Sequence, residues 1–160
     1  MTNTTRFESE VIRTATKNGL SANRIQFSTI SDIDISKEEY AVCFYHAIWS
    51  AQSVSVFPRL CFALSSCSDR LKVLIFDADE LSNAKPEIQE KAALLFGPCI
   101  GGYGETCWIR NGKIMARDVL YWKNGETAQA LTLSQQYNKR TTAKESEIDQ
   151  LLQKRLAELK

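Results

Sequence analysis

Two short runs constrain this chain most. Tyr40 to Ala47 reads Tyr-Ala-Val-Cys-Phe-Tyr-His-Ala, and Leu71 to Ala78 reads Leu-Lys-Val-Leu-Ile-Phe-Asp-Ala. Both are rich in apolar, β-forming residues and fall far short of the ~20 residues that span a bilayer. Such runs predict strands buried on both faces of a sheet. Between them Val54, Phe57, Leu60, Cys61 and Leu64 recur three and four apart. Residues 53–66 therefore predict a helix, with Pro58 placed to kink it. Strand, helix, strand in that order predicts parallel pairing with the helix crossing one face.

The remaining elements follow from the same periodicities. Phe7, Val11, Ile12 and Ala15 predict a helix over 5–18, stopped by Asn18-Gly19. Ile25 and Phe27 predict a strand over 24–30. Ser36-Lys37-Glu38-Glu39 fits a capping box for a single turn. Residues 84–95 predict a helix facing the core with Ile88, Ala92 and Leu95. Strands over 105–110 and 113–121 are joined by Asn111-Gly112, the strongest short hairpin signal. Residues 125–137 predict another helix. The polar tail carries Ile148, Leu151, Leu152, Leu156 and Leu159 on one helical face, a stripe to be buried on its own domain or on a partner. Three parts result: a helical extension (1–23), an α/β domain (24–138) with a mixed central sheet and helices on both faces, and an amphipathic helical tail (139–160).

Composition excludes several classes. At 160 residues one domain is the default, and the formal net charge of +1 gives no footprint for nucleic acid or an anionic membrane. Ordinary apolar content excludes a disordered chain. Five cysteines leave at least one unpaired in a monomer, and Met1 to Arg6 shows no apolar leader region. A reducing cytoplasm is the expected compartment.

The element order, with residues 44–58, resembles the thioredoxin family over roughly residues 40–137. That family's central strand runs into Trp-Cys-Gly-Pro-Cys, with a proline nine residues after the tryptophan. Here Trp49 precedes Ser50-Ala51-Gln52-Ser53, and Pro58 stands nine residues after Trp49. Val73 to Asp79 looks like the family's strand ending in an acidic residue, and Trp108 to Lys113 like its final hairpin. The resemblance implies a thioredoxin-like three-layer sandwich. It also implies that three parts of the thiol machinery are absent together. Ser50 and Ser53 stand for both redox cysteines, Phe44 for the buried acidic residue, and Glu105, before Thr106, for the cis-proline. Two serines cannot cross-link or supply a thiolate.

Several residues remain candidates for function. Ser50 and Ser53 suit helix capping, or with Trp49, Ala51 and Gln52 they form a binding loop. The family's old substrate face would combine these residues with Gly104, Glu105 and Thr106, where an extended peptide could pair with the backbone of 102–106. His46 is the sole histidine, so a serine nucleophile would depend on it, and no second histidine or Cys-x-x-Cys completes a metal set. Cys99 and Cys107 are the replacement thiols to consider. Asp77 and Asp79 suit capping more than acid–base work. The glycines before Tyr103 precede a strand, so they are not a dinucleotide fingerprint.

The expectation is a redox-inactive module for protein binding, as an adaptor or chaperone-like protein, with no cofactor. One rival is a divergent thiol enzyme or redox sensor using Cys99 or Cys107. Another is a small structural or toxin-neutralising subunit, self-associating or assembling through its terminal helices.

Overall fold

The computed structural model describes residues 5–97, 101–123 and 142–160. Nine main elements lie within them. They are α1 (Arg6–Lys17), β1 (Ile25–Ser28), β2 (Tyr40–His46), α2 (Ala51–Leu64), β3 (Lys72–Asp77), α3 (Pro86–Phe96), β4 (Glu105–Arg110), β5 (Lys113–Val119) and α4 (Glu145–Leu159). The helix expected over 125–137 lies outside the described residues, as does Cys99.

The sheet runs β1-β3-β2-β4-β5. β3 pairs in parallel with both β1 and β2, while β4 runs antiparallel to β2 and β5 antiparallel to β4. This is a mixed sheet of the thioredoxin-like type. The alternation of side chains along β2 divides the core into two layers. Val42 and Phe44 face one cluster with α1, α2 and α4; Ala41, Cys43 and Tyr45 face the other with α3. The domain is therefore a three-layer sandwich, with α1, α2 and α4 on one face and α3 on the other among the described residues.

The apolar stripes of both terminal helices are spent on this core. Phe7, Val11 and Ala15 of α1, and Ile148, Leu152, Leu156 and Leu159 of α4, pack into the α2 layer. Of the two outcomes left open for the tail, its own domain receives the stripe. Arg59 of α2 reaches across to Glu145 and Asp149 of α4. A second link is buried: Arg155 holds Asp118 through Nε at 2.7 Å and Nη2 at 2.9 Å, and Trp108 Nε1 donates to the same carboxylate at 2.9 Å.

Local corrections are small and have physical causes. The turn near residue 36 is capped by Asp34, not Ser36, because the Asp34 carboxylate accepts from the Ser36 amide at 3.1 Å. Pro58 sits within α2, which continues through it. Asn111 and Gly112 take φ of 53° and 75°, the pair of positive angles of the tightest hairpin turn. The turn is also clamped: both amides donate to the carbonyls of Glu39 and Glu38 at 2.6 and 2.7 Å.

Candidate functional site

β2 ends at His46, and the chain turns through Trp49 into α2. Ser50 is the N-cap of that helix, its hydroxyl oxygen accepting from the Ser53 amide at 3.4 Å. The same hydroxyl donates to the Gly102 carbonyl at 2.5 Å and is buried. Residues 101–104, whose described glycines all have positive φ, therefore lie directly over the corner. A Cβ on Gly102 would stand 3.0 Å from Ser50 Oγ, so the approach needs glycine.

Ser53 does not cap the helix. Its side chain turns inward and is 0% exposed. Ser53 Oγ lies 2.7 Å from His46 Nδ1 and accepts from the Ala47 amide at 3.2 Å. The hydroxyl and the imidazole thus share one buried hydrogen bond, whose donor is set by the tautomer of the ring. Phe7, Phe44 and Phe57 surround the ring, with Phe57 at 4.6 Å between centroids. Burial pushes the His46 pKa down to about 4. A serine and a histidine thus stand at hydrogen-bond distance, and neither can meet a substrate. A nucleophile must be reachable as well as activated.

The segment before β4 is equally internal. The Gly102 carbonyl accepts from Ser50, the Tyr103 carbonyl from the Tyr121 amide, and the Gly104 carbonyl from the Leu120 amide and Thr106 Oγ1. Glu105 and Thr106 are buried, and Glu105 Oε1 accepts from the Tyr103 amide at 2.8 Å. The expected pairing of an extended peptide with 102–106 meets three carbonyls already engaged. Glu105 thus ties its side chain back onto its own loop. Its peptide bond is trans.

What the corner does present to solvent is Trp49, 63% exposed. Ala51 is exposed beside it and Gln52 half-buried. The indole is fixed: Nε1 donates to Asp79 Oδ1 at 2.9 Å. Sequence reading placed Trp49 and Asp79 separately and missed their bond. The signal was in the pairing of parallel strands, where His46 faces Asp77 in the register of β2 and β3. Trp49 and Asp79 follow those ends by three and two residues. Asp77 caps the turn over 78–81 by accepting from the Asp79 amide at 3.0 Å, and burial raises its carboxyl above the usual range.

The thiols lie elsewhere. Cys107 faces Cys43 across β2 and β4 in the α3 layer and is buried. Burial pushes the Cys107 thiol up to about 12 and raises that of Cys43 well above the usual range. A thiol protonated at neutral pH is a poor nucleophile. Among the described residues, no three His, Cys, Asp or Glu side chains converge as a metal set, and no helix is long and apolar enough to cross a membrane.

Comparison with known proteins adds little to this geometry. No protein-family model matches the chain, and no curated protein matches it. Among solved structures, a thioredoxin from Trypanosoma brucei brucei matches at 15% identity and a TM-score of 0.38, covering 57% of this chain and 76% of that one. The strand order and layering carry the fold assignment without it.

Proposed function

We propose that this chain is a redox-inactive thioredoxin-like module that binds a protein partner through the exposed Trp49 corner. One observation carries the reading. The two hydroxyls that stand for redox cysteines are consumed by internal hydrogen bonds, while the tryptophan beside them is held open to solvent. A fixed aromatic loses little freedom on docking, and such residues anchor interfaces disproportionately. The role is that of an adaptor or chaperone-like protein in the cytoplasm. The thiol alternative draws less support, since Cys107 is buried with a raised pKa. Assembly through the terminal helices draws less too, since their apolar stripes are already covered.

The test has two arms. Immobilised protein is presented with lysate under reducing conditions, beside a Trp49→Ala variant. Partners captured by the first and lost from the second support the reading; partners held equally by both defeat it. Catalytic reduction of a model disulfide protein by the wild-type chain would remove the redox-inactive part.

A further inference from the structure

Trp49 forms one wall of a cleft of about 370 Å³ that the binding reading alone does not explain. The cleft opens outside the carboxyl ends of β2 and β3. These strands are adjacent and parallel, and their following helices pass to opposite faces of the sheet, α2 to one and α3 to the other. Such a switch point is where open α/β sheets leave a crevice for a ligand.

The lining has a definite chemistry. Trp49 supplies an exposed aromatic face and Ala78, Ala92 and Ala93 a low apolar floor; among the described residues Asp79 is the sole charge and no lysine or arginine lines it. Asp79 Oδ1 is occupied by the indole N–H, while its second oxygen makes no hydrogen bond among the described residues. Gln89 Nε2 donates one N–H to the Ala84 carbonyl at 3.2 Å, and its side-chain oxygen makes no hydrogen bond among the described residues. An aromatic face beside a carboxylate and a neutral acceptor favours a flat cation with several N–H donors. An anion meets only the carboxylate, and a compact ammonium cannot stack and fork at once.

We propose that this cleft receives an arginine side chain of the protein partner. Its guanidinium would stack on Trp49 and donate to Asp79 Oδ2 and to Gln89. The volume lies near the lower end of ligand cavities, about 300–1,000 Å³, and suits one side chain better than a dinucleotide. This inference rests on the protein-binding reading and makes it specific.

The experiment follows the amide and indole N–H resonances of the full ¹⁵N-labelled chain. The probes are a capped Gly-Arg-Gly peptide, the same peptide with citrulline, and the same peptide with lysine. Saturable shifts of the Trp49 Nε1–H and the Ser82 and Gln89 amides are expected with arginine, with citrulline about tenfold weaker, because charge-assisted bonds are roughly twice as strong as neutral ones. Lysine should also bind more weakly than arginine. Asp79→Asn keeps an oxygen for the indole and should weaken arginine binding by a similar factor, with the rest of the spectrum unchanged. Equal binding of citrulline, indifference to Asp79→Asn, or no saturable shift at these resonances overturns the proposal. Trp49-dependent capture of a partner that persists in Asp79→Asn overturns the arginine cleft but leaves the binding module standing. Loss of Trp49 dependence overturns both.

Discussion

Ser53 Oγ and His46 Nδ1 share a hydrogen bond of 2.7 Å, and both groups are shut inside the α2 layer. The geometry is that of a hydrolase dyad, but here it serves as a spacer between β2 and α2. Its consequence is a pH dependence. The folded imidazole takes a proton only near pH 4, while the unfolded chain takes one near 6.5. Between those values the unfolded state binds more protons, so stability is complete above the upper value and falls as pH drops toward the lower. The loss reaches ~3 kcal/mol, at 1.36 kcal/mol per pKa unit. Urea denaturation at pH 7, 5.5 and 4 should show it. In His46→Gln the fall over this window should shrink; an unchanged profile would assign the acid sensitivity to other groups.

Gly104 is the tightest glycine of the site. Its φ is +78°, and an added Cβ would sit 2.6 Å from Val56 Cγ2 and 3.3 Å from Leu120 Cβ. Gly104→Ala should cost about 1–3 kcal/mol through overpacking and the left-handed backbone. At roughly 2–4 °C per kcal/mol, melting falls by several degrees. Val56→Ala in the same chain should recover part of the loss. A single variant that melts with the wild type would show that the loop shifts freely.

The ion pair of Asp118 and Arg155 joins β5 to α4 where the carboxylate is 1% exposed. Hydrogen bonding to Asp118 holds the guanidinium well above its usual pKa. Arg155→Met strands that carboxylate with the Trp108 indole as its remaining partner among the described residues. The expected cost is about 3–5 kcal/mol. Arg155→Lys should recover less than half, because an ammonium cannot fork to both oxygens. Equilibrium denaturation reads both. A methionine variant of wild-type stability would show that water reaches the carboxylate.

Of the four cysteines in the described residues, Cys67 is half-buried and the other three are buried. Burial raises all four thiols, with Cys61 and Cys107 at about 12. Among these four, alkylation at pH 8 followed by peptide mass spectrometry should find Cys67 modified first, slowly, and the other three only on unfolding. Faster labelling of Cys107 would restore the thiol reading.

Much of the fold was legible because each strand carried its own signature. The continuous runs at 40–47 and 71–78 could only be central strands, and Asn111-Gly112 fixed the closing hairpin. The site was legible in part. Serines at 50 and 53, where the resemblance to thioredoxins would place redox cysteines, are plain in the sequence, but where those hydroxyls point is decided by partners far along the chain. Gly102 approaches Ser50 from 52 residues away and Asp79 reaches Trp49 from 30. Helical or strand periodicity carries no information about such pairs. The fate of the tail stripe was open for the same reason. Its covering surface is an apolar helix face on α2, and periodicity shows that a face exists without showing which face meets it.

The placement of α4 on α2 sets a timetable for synthesis. Arg59 and Asp149 meet across 90 residues of chain. At about 5–20 residues per second, a ribosome needs on the order of ten seconds to travel between them. Throughout that interval Leu60 and Leu64 lack part of their cover, and the nascent domain displays an unfinished apolar layer. α4 is therefore the latch of this layer, and a chain released before it emerges leaves that side of α2 uncovered.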